Sequence, residues 1–87
     1  MTTLTAALPS FLWETPSLNH TAEHLERAAD QLWRVIDTGG SIRGHLRVVA
    51  DPLGVRYRAE RMHLSSGGFQ LVGEFWSADD AVAALRH

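Results

Sequence analysis

Apolar positions recur at helical spacing in one stretch of this chain and alternate in the next. Leu25, Ala28, Ala29, Leu32, Trp33 and Ile36 fall at i, i+3, i+4, i+7, i+8 and i+11. That spacing puts them on a single stripe of an α-helix. Glu23, Glu26, Arg27, Asp30, Gln31, Arg34 and Asp37 fall mostly on the other side. Glu23/Arg27 and Asp30/Arg34 are acid-then-base pairs one turn apart, the favourable orientation on a helix. Thr21 is placed to cap the free N–H groups at the start, and Gly39-Gly40 to end the helix in a left-handed conformation. The pattern predicts a long amphipathic helix over residues 21–40. Leu32 counts as core, so Leu32→Ala is expected to cost about 2–5 kcal/mol.

From Ile42 the period changes to two. Ile42, Leu46, Val48 and Ala50 alternate with Arg43, His45, Arg47 and Val49, the mark of a half-buried strand. Asp51-Pro52-Leu53-Gly54 is a turn, because Pro presets φ at its second position and Gly suits its fourth. The chain returns as Val55, Tyr57 and Ala59 against Arg56, Arg58 and Glu60. The alternation then slips near Arg61, since Met62 and Leu64 are apolar on the opposite phase; a bulge or a strand end explains this. Ser65-Ser66-Gly67-Gly68 forms a second turn. Phe69, Leu71, Gly73 and Phe75 then alternate with Gln70, Val72, Glu74 and Trp76 as a third strand. Ser77-Ala78-Asp79-Asp80 resembles a capping box and opens a short helix, with Ala81, Val82, Ala84 and Leu85 as its apolar face and Arg86 and His87 at its negative end.

The N-terminal stretch is harder to place. Leu4, Ala6, Ala7, Leu8, Phe11, Leu12 and Trp13 are too apolar for a solvated tail, while Pro9 and Pro16 forbid a long helix. We read residues 1–20 as an apolar arm and 21–87 as a single domain. The arm lays Phe11, Leu12 and Trp13 on the domain's own core or on a second subunit. The expected fold is α+β in the order α-β-β-β-α: a long amphipathic helix, a three-stranded antiparallel meander and a short C-terminal helix. Both helices are expected on one sheet face, with the other left partly open.

Composition narrows the function classes. At 87 residues the chain suits one small domain. It has no cysteine, so disulfides, thiolate nucleophiles and cysteine-based metal sites do not enter. No export signal and no bilayer-spanning run is read, which leads to a cytoplasmic expectation of bacterial or phage-like character. All eight basic residues are arginine, and the net charge of −2 points to no polyanionic partner.

Two surfaces carry candidate chemistry. In the expected pleat Arg43, His45, Arg47, Arg56 and Arg58 point away from the helix, forming an anion or nucleic-acid surface. The plainer reading pairs these arginines across strands with Glu60 and Glu74. The order of elements matches double-stranded RNA-binding domains, but Asp79 and Asp80 stand where those carry basic residues, and they would repel a phosphate backbone. The second surface is apolar. Trp76 either turns inward as the chain enters the last helix or lies exposed with Val49, Val72 and Met62 as a partner surface. Trp33 and Phe75 are explained by packing.

His20-Thr21-Ala22-Glu23-His24 matches the H-x-x-E-H spacing of inverted zinc proteases. A cap at Thr21 would put His20 outside the helix and remove the one-turn geometry that a metal needs. The reading that follows is a non-catalytic protein-binding module without metal or cofactor: an accessory, regulatory or inhibitor protein. Phe11, Trp13, Val49, Val72 and Trp76 would bind the partner, another protein or a second copy in a homodimer, and no membrane is involved. The alternative is nucleic-acid or phosphate binding through the arginine face.

Overall fold

The computed structural model of the chain describes residues 14–63 and 65–86. It is built on five strands: β1 (His24–Ala29), β2 (Leu32–Ile36), β3 (Ile42–Asp51), β4 (Gly54–His63) and β5 (Gly68–Phe75). The helix α1 (Ala78–Ala84) follows them. The strands form one antiparallel sheet in chain order, each paired with its predecessor.

The long helix expected over residues 21–40 does not exist. That segment is a hairpin, with Leu25 opposite Val35 and Arg27 opposite Trp33. The turn falls at Asp30-Gln31, where Gln31 adopts φ 59° and so interrupts any helix. Arg27 reaches Asp30 across this turn at 3.2 Å. The amide of Val48 in β3 donates to the Gln31 carbonyl at 2.8 Å and ties the turn to the sheet. Trp33, Val35 and Ile36 are strand formers, and the ladder to β3 makes two-residue alternation the relevant period. The acid–base pairs are also reassigned. Glu23 bonds Arg86, and no 30/34 pair forms among the described residues. Gly39-Gly40 belongs to the β2–β3 loop, where Asp37 Oδ1 accepts from the amides of Gly39 and Ser41, each at 2.9 Å.

The sheet has five strands where three were expected; β3–β5 and α1 fall on the segments read as strands and helix. Ser77 caps α1, its hydroxyl accepting the Asp80 amide at 3.1 Å. Ser77→Ala should cost about 1 kcal/mol in urea denaturation; unchanged stability would mean that this hydroxyl holds nothing. The negative end of the helix is served differently than expected. Arg61 of β4 donates to the Ala84 carbonyl at 3.2 Å, while Arg86 turns to Glu23.

The core lies between α1 and one sheet face. Ala78, Ala81, Val82 and Leu85 of the helix meet Val35, Leu46 and Ala59, with Leu18, Leu25, Tyr57 and Phe75 around them. Trp33 and Val48 continue this layer beyond the helix. Leu32 is not in it: it pairs with Arg47 on the opposite face and is only half-buried. The large loss expected for Leu32→Ala is therefore withdrawn. Gly44 sits directly beneath the helix end, where a Cβ would strike the backbone carbonyl of Glu60 and lie 3.2 Å from Leu85 Cδ2.

Two contacts tie the start of the described chain to its end. Asp79 accepts the amides of Asn19 and His20 at 2.9–3.1 Å. The Glu23 carboxylate takes both arms of the Arg86 guanidinium at 2.9 and 3.0 Å, with its side chain only 6% exposed. The Arg86 hydrogen bonds hold the Glu23 pKa down at about 2 against an ordinary 4.5. A depressed carboxylate pKa stabilises the fold above the ordinary value, and that stability is lost as pH falls from about 4.5 toward 2. Backbone donation, from His20 above all, depresses Asp79 and acts with the same sign. In acid denaturation Glu23→Gln should lower stability at pH 7 and flatten the loss between pH 5 and 2; an unchanged acid limb would show the pair to be loose.

Candidate functional site

The sheet face away from α1 is open, and it carries the side chains of interest. His45, Arg47 and Val49 of β3 stand opposite Glu60, Arg58 and Arg56 of β4. Arg34 of β2 joins them opposite His45. Arg34 was assigned to the polar side of a helix in the sequence reading and so escaped notice as a member of this face.

These arginines are largely neutralised by neighbouring strands. Arg47 holds Glu60 at 3.0 Å, Arg56 spans Asp51 at 3.1 Å and Glu74 at 3.3 Å, and Arg58 takes Glu74 at 3.2 Å. Cross-strand pairing of this kind orients the guanidinium groups within the sheet and leaves little capacity for a phosphate. Three arginines thus meet three carboxylates, and of the four on this face Arg34 alone lacks one among the described residues. Arg43 does not belong to this group. It is the extra residue of a bulge opposite Val35–Ile36, and it pairs with Asp37 at 3.3 Å at the end of the sheet.

Beside the arginine ladder lies an apolar strip. The β4–β5 ladder shifts register between Ala59 and Glu60, leaving Val72 as the extra residue. This bulge reverses the phase of β5. Gly73 and Phe75 remain on the helix side, while Leu71 stands opposite Glu60 and Phe69 opposite Met62 on the open face. Phe69, Leu71, Val72 and Met62 are consequently 39–48% exposed. β4 has no bulge near Arg61: Met62 keeps the phase of Glu60 and is apolar opposite Phe69, and the extra residue sits in β5. Phe69 and Leu71 were missed because unbroken alternation grouped them with Phe75.

Phe69 is held in place by stacking on His45, ring centroids 3.9 Å apart and planes 15° from parallel. Burial lowers the His45 pKa and so favours the neutral ring. Trp76 does not turn inward. It is 58% exposed, with the Arg56 guanidinium 4.6 Å from its ring centre. Val49 is half-buried next to Arg56. Of the expected partner-binding residues, Val49, Val72 and Trp76 lie on or beside this face; Phe11 and Trp13 lie outside the described residues.

The zinc-protease spacing does not assemble. His24 is in β1 rather than on a helix, and Glu23 is committed to Arg86. Among the described residues no three His, Asp or Glu side chains converge as metal ligands would. A cleft of about 360 Å³ runs between Glu14, Tyr57, Trp76, Ser77 and Asp79, with Asp79 already accepting two backbone amides. No helix among the described residues is long and apolar enough to cross a membrane.

Fold and site define a small, mostly β domain with one helix-covered face and one open, mixed aromatic–arginine face. The chain matches no protein-family model, no curated protein and no solved structure, and the functional reading rests on its own residues.

Proposed function

We propose that this chain is a small non-catalytic protein-binding module, an accessory, regulatory or inhibitory protein of the cytoplasm, that uses the open sheet face. The observation that carries the reading is the group Met62, Phe69, Leu71 and Val72 exposed along one side of that face, with Trp76 exposed beyond Glu74. Interface cores are enriched in aromatic residues, Met and Arg, and contiguous exposed apolar side chains of this kind mark partner surfaces. The stacked Phe69 and the Arg56-backed Trp76 are already ordered, which reduces the entropy lost when a partner covers them.

Nucleic-acid or phosphate binding is the weaker reading. An incoming phosphate would have to displace Glu60, Glu74 and Asp51 from the arginines they hold. The test is a photo-crosslinking amino acid at Trp76 or Met62, with Leu53, exposed on the β3–β4 turn, as the control position. The expected result, in cells that naturally make the protein, is a discrete adduct from the two face positions and none from Leu53. Adducts from neither position, together with salt-sensitive nucleic-acid binding, would reverse the order of the two readings.

A further inference from the structure

The two edges of the sheet are built differently. β1 has six residues, carries His24, Glu26 and Arg27, and is broken by a register shift at Ala28. Charges and bulges are the devices that keep an edge strand from pairing with another chain. β5 has eight residues, and from Gly68 to Gly73 it carries neither charge nor proline. Its Gly68–Leu71 portion pairs regularly with β4 before the Val72 bulge, and no strand covers its other side among the described residues. Past Gly68, whose amide donates to Ser66 Oγ at 3.3 Å, the strand's outward edge runs beside the apolar strip.

We propose that the partner is a second copy of this chain, docked by antiparallel pairing of β5 with β5 about a two-fold axis at Gln70. The proposal rests on the protein-binding reading and places the partner at the sheet edge beside that surface. A two-fold interface must be self-complementary, and this register is. It sets Phe69 of each copy against Leu71 of the other, on the open face. Gln70 meets Gln70. Glu74, the one charge on β5, falls opposite Ser66 and not opposite its own copy. Each strand's free backbone groups are satisfied by the other, as in strand addition generally. The two five-stranded sheets become one continuous sheet with both helices on the same side. The pairing is short, so the dimer is a reversible one of the weak class.

Sedimentation velocity on the full chain over a wide concentration range tests this. Wild type should shift reversibly from monomer to dimer. Leu71→Lys and Phe69→Glu lie at exposed positions, so each should keep the wild-type circular dichroism yet remain monomeric at the same concentrations. Mixing the two variants should restore the dimer, because Lys then faces Glu in one pairing and Phe faces Leu in the other. A wild type that stays monomeric throughout, single variants that dimerise as wild type does, or a mixture that fails to associate would each overturn the proposal. Amide exchange supplies a second measure: β5 protection should rise with concentration. Protection that is already full in the monomer would put another segment of the same chain on the edge, which also overturns it. Loss of this proposal with Trp76 adducts to a different protein would leave the binding-module reading intact.

Discussion

Gly44→Ala should be among the most damaging single substitutions in this chain, costing about 3 kcal/mol or more. The argument is steric. Gly44 lies on β3 beneath the end of α1, and a methyl there would collide with the Glu60 carbonyl of the neighbouring strand. A side chain in the way could rotate; a backbone oxygen within a β-ladder cannot move without breaking the β3–β4 pairing. On the other side Leu85 Cδ2 is 3.2 Å from the same methyl, so the helix would also have to lift. Urea denaturation should show a large fall in midpoint. Wild-type stability would mean that β3 and β4 are not in the register described.

Trp33→Ala is the second large effect, expected at about 3–5 kcal/mol as for other buried aromatic truncations. Trp33 is fully buried with Val48, and Arg27 lies 5.5 Å from its ring centre. Its neighbour provides the control. Leu32 points to the open face, so Leu32→Ala should cost about 1 kcal/mol or less. On a helix both side chains would share the buried stripe and both losses would be large. Trp33→Phe adds detail: the indole Nε1 is buried without a hydrogen-bond partner among the described residues, so exchanging it for a ring with no donor should cost much less than truncation.

The adjacent pair Leu32–Trp33 also shows why the first half of the chain was misread. Leu25 and Trp33 are eight residues apart, a separation that places two side chains on one face in both a helix and an extended strand. Ala28 and Ala29 completed the helical stripe, but in the hairpin they lie at the bulge and the turn. Nothing at Asp30-Gln31 announces a turn, since a Gln in the left-handed region is uncommon. Long-range pairing with β3 chose between the two periods, and that information is not local.

The meander was legible because each connection carries strong local chemistry. Asp51-Pro52-Leu53-Gly54 and Ser65-Ser66-Gly67-Gly68 bracket β4, and Ser77 marks the start of α1. The arginine face followed from alternation, so His45, Arg47, Arg56 and Arg58 were placed correctly. Arg43 failed for the same reason, because a bulge at its own position breaks the alternation. The apolar strip was only partly foreseen, since one inserted residue, Val72, decides whether Phe69 and Leu71 face the helix or solvent. A bulge of that kind is a property of the pairing between β4 and β5, and neither strand's sequence shows it alone.

Residues 24–36 form two strands that widen the sheet and add Leu32 and Arg34 to its open face. The most direct measurement is therefore an NMR assignment of those residues with cross-strand contacts. Extended chemical shifts, with contacts from Leu25 to Val35 and from Trp33 to Leu46, are the predicted result. Helical shifts through Leu25–Ile36, with sequential amide contacts and no contacts between these strands, would contradict the five-stranded sheet.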